Sequence, residues 1–194
     1  LPADSVIRVP DDVAREAVHE EAAGRTWRIS ADSFAQASPE AMDTLTAHVL
    51  AAADEVRTRH AVDLYCGVGV FAGALADRGW SVTAIDGAPS AVADAHHNLD
   101  DLDVEVIEHD VTTWTAEPSE LVVADPSRAG LGPDGAAVIH ATGATRVVLV
   151  SCDTYALSRD CAHLRGFGYT LTRANPIDQF PHTPHVEVVS VFDR

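Results

Sequence analysis

From Ala61 onward the chain alternates short apolar runs with segments of helical spacing, and this alternation constrains its fold more than any other feature. Ala61 to Tyr65 reads as a strand, Gly67-Val68-Gly69 as a tight turn and Val70 to Asp77 as a helix. Ser81 to Ile85, Pro89 to Leu99 and Val104 to Ile107 repeat strand, helix and strand. Leu121 to Ala124 and Val147 to Val150 are wholly apolar and bounded by polar residues, as central parallel strands buried on both faces must be. Thr154 to Leu164 reads as a further helix, and Tyr169 to Arg173 and Val186 to Phe192 as the last strands. Strand and helix in alternation predict an α/β fold with a doubly wound, mostly parallel sheet. Upstream, Ser38-Pro39-Glu40 opens a predicted helix with Ser38 as N-cap and Pro39 at its first position. Thr26 to Ser30 alternates like a short strand, and Asp11 to Ala22 reads as a helical or irregular surface segment.

With 194 residues, 46% of them apolar, the chain suffices for one well-filled core and about one domain. The apolar share excludes a disordered chain, and no stretch nears the roughly 18 uninterrupted apolar residues of a membrane helix. Cys66, Cys152 and Cys161 are odd in number and hold no CxxC pair. That argues against a disulfide framework or a thiolate zinc site, and for a reducing, cytoplasmic location. Thirteen basic residues, all Arg, face thirty acidic ones, for a net charge of −17. Such a chain lacks the clustered positive charge that grips phosphates, so any nucleic acid must be held largely from elsewhere. The chain starts at Leu1 rather than Met and shows no leader peptide, and is expected to be a fragment or trimmed form of a longer protein.

The run Asp63-Leu64-Tyr65-Cys66-Gly67-Val68-Gly69-Val70-Phe71 sets two glycines directly after a predicted strand. A tight turn there lets backbone approach a ligand at a helix N-terminus. Ala72 replaces the third glycine of a dinucleotide fingerprint, and Asp86 closes the next strand, where a carboxylate can hydrogen-bond a ribose hydroxyl. The combination fits S-adenosylmethionine better than NAD, with an ordinary strand–helix turn as the alternative. Cys66 reads as a small apolar filler. Asp125-Pro126-Ser127-Arg128 belongs at the carboxyl ends of the strands, where open α/β sheets bind ligands; a turn-capping Asp is the alternative. Ser151-Cys152-Asp153 lies at the same end, before a predicted helix whose N-terminus favours a thiolate, although a buried structural cysteine is the plainer reading. Cys161, within that helix, reads as structural.

In the run Asp178 to Glu187, His185 and Glu187 share one strand face, and His182 stands close by in sequence. Three potential ligands within six residues are too few for a metal site. A general base at Glu187 or a salt-bridged loop fits better, and no metal is expected. His96 and His97 read as solvated.

Together these segments resemble the catalytic domain of the RNA 5-methyluridine methyltransferases, the uracil-C5 family that modifies tRNA or rRNA. The resemblance spans about Phe34 to Phe192. It rests on Phe34-Ala35-Gln36, the Asp63 to Phe71 run, Asp125-Pro126-Ser127-Arg128 with Ala129-Gly130-Leu131, Val150-Ser151-Cys152, and Phe180-Pro181-His182-Thr183-Pro184-His185-Val186-Glu187. It implies a Rossmann-like S-adenosylmethionine-dependent methyltransferase fold, with residues 1–37 leading into a methyltransferase domain at 38–194. It further implies Cys152 as nucleophile, Glu187 as proton acceptor and Arg128 as a donor to the developing enolate. Gln36, Tyr65, Gly67, Gly69, Asp86 and Asp125 would hold S-adenosylmethionine, with Asp125 also near the target base. The partner would be RNA, gripped largely by an N-terminal domain that the family carries and these residues lack; no membrane is involved.

Three departures from the family's pattern stand out. Ser127 replaces the second proline of Asp-Pro-Pro-Arg, Asp153-Thr154 replaces Asn-Pro after the nucleophile, and Val70 stands where many relatives carry a polar residue. A carboxylate beside Cys152 should disfavour its thiolate. The alternative function is therefore a catalytically weak or inactive S-adenosylmethionine-binding module. Ser127-Arg128 disfavours the cytosine-C5 enzymes that place a cysteine there, and the adenine-N6 enzymes that place an aromatic residue there.

Overall fold

The run Leu121–Ala124 offers no polar side chain to water, and all four residues are fully buried at the centre of a seven-stranded sheet. The computed structural model describes residues 17–36, 38–180, 182–183 and 185–194. In chain order the elements are β1 (Val18–Ala22), β2 (Arg25–Ile29), α1 (Pro39–Ala53), β3 (His60–Leu64), α2 (Val70–Ala76), β4 (Ser81–Asp86) and α3 (Pro89–Asn98). They continue with β5 (Val104–Glu108), β6 (Leu121–Ala124), α4 (Gly132–Ala141), β7 (Arg146–Ser151), α5 (Thr154–Gly166), β8 (Thr170–Ile177) and β9 (Glu187–Asp193). The sheet runs β5-β4-β3-β6-β7-β9-β8. Strands β3 to β7 pair in parallel, while β9 runs antiparallel to both β7 and β8. Helices cover both faces, giving two apolar clusters. This is the doubly wound α/β sheet that the alternation predicts.

The strand order reverses between β3 and β6, the switch point where open sheets leave a crevice beyond their carboxyl ends. The turn after β3 and the loop after β6 flank it. Gly69 has φ 95, and a Cβ there would stand 2.6 Å from Leu99 Cδ1, so glycine is needed both for the conformation and for the approach of α3.

Two elements differ from expectation. The described part of the Asp11 to Ala22 stretch forms β1, paired antiparallel with β2 rather than helical or irregular; residues 11–16 lie outside the described residues. Its two-residue turn, Ala23 at φ 52 and Gly24 at φ 79, has the positive dihedrals of a hairpin. Alanine in the first position hides that signal. Helix α4 has no counterpart in the sequence reading, because Gly132-Pro133-Asp134-Gly135 resembles a turn.

A lone two-stranded hairpin is marginal in water, and this one is anchored by Trp27. The indole is fully buried, its Nε1 donates to Ala22 O at 2.8 Å, and a Cβ on Gly73 would stand 2.7 Å from its ring. A buried Trp is worth roughly 3–5 kcal/mol against truncation, so burial rather than the turn holds the hairpin. From α3, Asn98 Nδ2 donates at 3.0 Å to both Arg28 O and Val68 O, tying the hairpin to the glycine turn. The buried Asp94 carboxylate accepts from Ser30 N (2.7 Å), Ser30 Oγ (2.9 Å), Ser33 Oγ (2.6 Å) and Arg28. These bonds deliver the Phe34–Gln36 segment to the crevice, and Phe34 O would stand 3.7 Å from a Cβ on Gly67.

Candidate active site

Because β3, β4, β6 and β7 are parallel and β9 runs the other way, one sheet edge gathers Tyr65, Asp86, Asp125, Cys152 and Glu187. Asp86 clamps the glycine turn, accepting Gly67 N–H at 2.9 Å and Ala88 N–H at 2.8 Å. Tyr65 sits at φ 60, a conformation that costs a residue with a Cβ roughly 1–2 kcal/mol, so its surroundings hold it there. Its hydroxyl is aimed at α4, where a Cβ on Gly135 would approach it to 3.0 Å. Burial, reinforced by Asp110, Asp160 and Asp86, pushes the phenol up to about 12. Gln36 Nε2 donates to Asp125 Oδ2 at 2.7 Å, so the segment held by Asp94 reaches across the crevice.

Cys152 and Glu187, remote in sequence, meet through the β7–β9 register. Ser151 pairs with Val188, so Cys152, the first residue beyond β7, lies near Glu187 at the start of β9, close enough for the Glu187 carboxylate to act on its thiol. Glu187 is 3% exposed, and burial pushes its carboxyl up to about 7. Cys152 is half-buried. Burial raises its thiol first; the Glu187 and Asp125 carboxylates add to the rise, and the Arg128 guanidinium opposes it. Asp125 keeps some exposed surface, yet its carboxyl is shielded enough that desolvation, then Glu187 and Asp63, hold it well above the usual carboxylate range despite the Gln36 bond. The site thus crowds acidic groups that hold their protons more tightly, with the Arg128 guanidinium acting on the sulfur in the opposite sense.

Asp153 does not act on Cys152 as its sequence position implies. Its carboxylate caps α5, accepting Ala156 N–H at 2.8 Å, and the carboxylates that raise the thiol are Glu187 and Asp125. Cys66 is buried, its thiol pushed well up, in keeping with a filler. His182 is exposed, and His185 stacks edge-on against Phe180 at 6.3 Å. Among the described residues no three His, Cys, Asp or Glu side chains gather closely enough to hold a metal ion. Pro181 and Pro184 of the same motif lie outside the described residues.

Sequence reasoning quoted Asp63 without giving it a role. It ends up fully buried at the end of β3 with neither oxygen hydrogen-bonded. Desolvation raises its carboxyl to about 8; the Ala72 N–H, short of hydrogen-bond geometry, offsets this only in part, and Asp86 adds to the rise. The folded chain therefore holds a proton that the unfolded chain, with an ordinary value of 3.8, releases. That contribution to stability is complete below about pH 4 and is lost as pH rises through about 8. Asp63→Asn should match the wild-type melting temperature at pH 4 and exceed it at pH 9, as thermal unfolding across that range would show. Parallel curves for the two proteins would mean that Asp63 is not desolvated.

A crevice of this shape at the switch point of a parallel sheet, fronted by a Gly-x-Gly turn and closed by an antiparallel last strand, defines a Rossmann-like methyltransferase domain. Residues 61–126 match the model of the family described as "Methyltransferase domain", and residues 110–194 match "tRNA (Uracil-5-)-methyltransferase". An uncharacterized RNA methyltransferase of Streptomyces coelicolor is 39% identical over 187 residues, covering 92% of this chain and 41% of that protein. The 23S rRNA (uracil(1939)-C(5))-methyltransferase of Tolumonas auensis is 34% identical, covering 83% of this chain and 39% of that protein. Among solved structures, the tRNA (uracil-54, C5)-methyltransferase of Pyrococcus abyssi, complexed with S-adenosyl-L-homocysteine, superposes with a TM-score of 0.83 at 29% identity. It covers 92% of this chain and 44% of that one. Residues 110–194 thus match the uracil-C5 RNA methyltransferase family, and the chain spans about two fifths of the length of the curated relatives it matches. No helix among the described residues is long and apolar enough to cross a membrane.

Proposed function

We propose that the intact protein transfers a methyl group from S-adenosylmethionine to carbon 5 of a uridine in tRNA or rRNA, with Cys152 as nucleophile and Glu187 as proton acceptor. The observation that carries this reading is the meeting of Cys152 with Glu187 across β7 and β9, beside Asp125. The crevice fits the cofactor on its own chemistry. Beyond burial, Asp86 helps raise the Asp63 carboxyl and Asp63 helps raise that of Asp125, and a cationic ligand relieves that crowding. Neither Asp63 oxygen has a hydrogen-bond partner among the described residues, and a nearby cation would favour its ionised form. Gly67 and Gly69 let backbone close under the ligand, Asp86 keeps lone pairs free beyond its two N–H bonds for ribose hydroxyls, and Gln36 and Tyr65 border the same space. Bound S-adenosylmethionine supplies an electrophilic methyl group on a sulfonium. Asp63→Asn should weaken its binding by roughly 10- to 100-fold, the loss of a hydrogen-bonded or paired buried charge.

Carbon 5 of uracil is too electron-poor to attack a methyl group directly. The Cys152 thiolate adds to carbon 6, forming a C–S bond and moving the ring's π pair into an enolate, so that carbon 5 becomes nucleophilic. Arg128 favours the thiolate and can donate to the enolate oxygen. Methylated carbon 5 still carries its proton. Glu187 takes that proton, the freed pair re-forms the ring double bond, and the C–S bond breaks to return the thiolate. A carboxyl held at about 7 suits proton transfer near neutral pH. The uridine must leave its stack to reach the sulfur, which is cheapest in a loop or single strand.

The chain's net charge of −17 leaves the phosphate grip to the remainder of a longer, cytoplasmic protein. The test is to map 5-methyluridine in RNA from cells with and without the gene. One position should lose its methyl group and regain it with the wild-type protein. Unchanged methylation at every site would remove the reading. A cofactor-binding module without turnover is the second reading, favoured by the raised thiol of Cys152; it would bind cofactor and leave every methyluridine in place.

A further inference from the structure

Helix α4 begins without a cap of its own. Leu131, at the N-cap position, is helical at φ −65 and makes no side-chain bond to the first turn. The free N–H groups go instead to Asp160, in the middle of α5: Leu131 N–H donates to Oδ2 at 2.8 Å and Gly132 N–H to Oδ1 at 3.1 Å. Asp160 is 1% exposed. Gly130, at φ +80, is shaped to this carboxylate, since a Cβ there would fall 2.4 Å from Oδ2. Next to it, Arg159 donates to Ala129 O at 3.4 Å. A buried carboxylate at a helix N-terminus, with two charge-assisted bonds, is a strong anchor.

What it anchors is the loop that leaves β6 with Asp125 and carries Arg128. The same helix starts directly behind Cys152, and Asp153 caps it. One rigid element therefore carries the sulfur at its N-terminus and, eight residues on and roughly 12 Å along its axis, the clamp on the loop of opposing charges. We propose that Asp160 is a positioning residue that holds Arg128 in register with Cys152, so that the guanidinium can offset the Glu187 and Asp125 carboxylates. Arg128 is exposed, so its loop's backbone has to place it. Asp160→Asn keeps the size but turns an NH2 group toward one of the two donors, which releases one end of the clamp.

The significance for catalysis rests on the proposed uridine chemistry, but the test does not need RNA. In the intact protein, alkylation of Cys152 by iodoacetamide is followed against pH by mass spectrometry of its peptide, which separates it from Cys66 and Cys161. The groups whose charge reaches the sulfur are Glu187 from β9 and Asp125 and Arg128 from the loop after β6, whereas Asp153 at the head of α5 is turned to Ala156 N–H. Asp160→Asn should shift the alkylation profile to higher pH, slowing the reaction several-fold near neutral pH while cofactor affinity stays near wild type. Arg128→Ala should give the same shift, and the double variant no more than either alone, because both act through one contact. If Asp160→Asn folds poorly, Gly130→Ala, whose Cβ would press on the carboxylate from 2.4 Å, displaces the loop while keeping Asp160 itself and should shift the profile in the same direction. A folded Asp160→Asn with the wild-type profile, or shifts that add in the double variant, would overturn the proposal. Failure of the wild type to modify RNA would instead strike the uridine reading and leave this outcome standing.

Discussion

Cys152→Ala in the intact protein should leave cofactor binding in place and abolish the covalent complex with RNA carrying 5-fluorouridine. Fluorine at carbon 5 cannot leave as a proton does, so an adduct that has accepted its methyl group has no exit and survives denaturation. Without the sulfur there is nothing to join, and methylation of ordinary RNA should fall by roughly 10⁴-fold or more, the scale of losing a covalent nucleophile. Neither other cysteine can substitute. Cys66 is buried with its thiol pushed well up, and Cys161 lies farther along α5 with its thiol raised by burial and by Asp160. Since burial and two carboxylates raise the Cys152 thiol too, adduct formation by the wild type should quicken with rising pH. Denaturing gel shifts with labelled RNA read both quantities. A persistent adduct in Cys152→Ala would be fatal to the assigned nucleophile.

The parts of this domain that could be read ahead of the structure are those whose chemistry is local. The apolar runs at 121–124 and 147–150 have only one environment open to them, and they sit in the middle of the sheet. Ser38 with Pro39 announces α1, and Ser38 Oγ does accept Ala41 N–H at 3.2 Å. The residues at the sheet edge were readable for a similar reason, since strand ends in a parallel sheet must share one side. What was not readable depends on partners distant in sequence. Alternation cannot show that Val18–Ala22 is a strand when its value rests on Trp27 finding Gly73. Helix α4 is stabilised from outside by Asp160, so its own first turn looks like a loop. Asp153 beside Cys152 suggested electrostatic opposition, yet helix geometry turns it toward Ala156. Asp63 looked like any strand-end carboxylate until burial left its oxygens alone.

Glu187→Gln, which removes one carboxylate that raises the Cys152 thiol, should form the RNA adduct at least as fast as wild type and then fail to release it. The two steps use different groups: addition needs the Cys152 thiolate, whereas release needs a base for the proton at carbon 5. Glutamine matches glutamate in shape and accepts no proton, so release should slow by roughly 10²- to 10⁴-fold, the range for loss of a general base. Misfolding does not mimic this outcome. Glu187 is buried with a carboxyl raised to about 7, so its stabilising proton is held fully only below the ordinary 4.5 and is lost as pH rises through 7. A neutral amide escapes that loss, and the variant should be at least as stable as wild type above neutral pH. The same titration gives the wild type a release rate that falls as pH drops below about 7, while release by Glu187→Gln stays slow and flat across that limb. Quenched-flow sampling on ordinary uridine RNA, with the methyl group traced in the denaturation-resistant band, separates the steps. Rapid product release by Glu187→Gln, or a trapped band without a methyl group, would move the proton-accepting role to another residue, with Asp125, whose carboxyl is raised by burial and by Glu187, the first candidate.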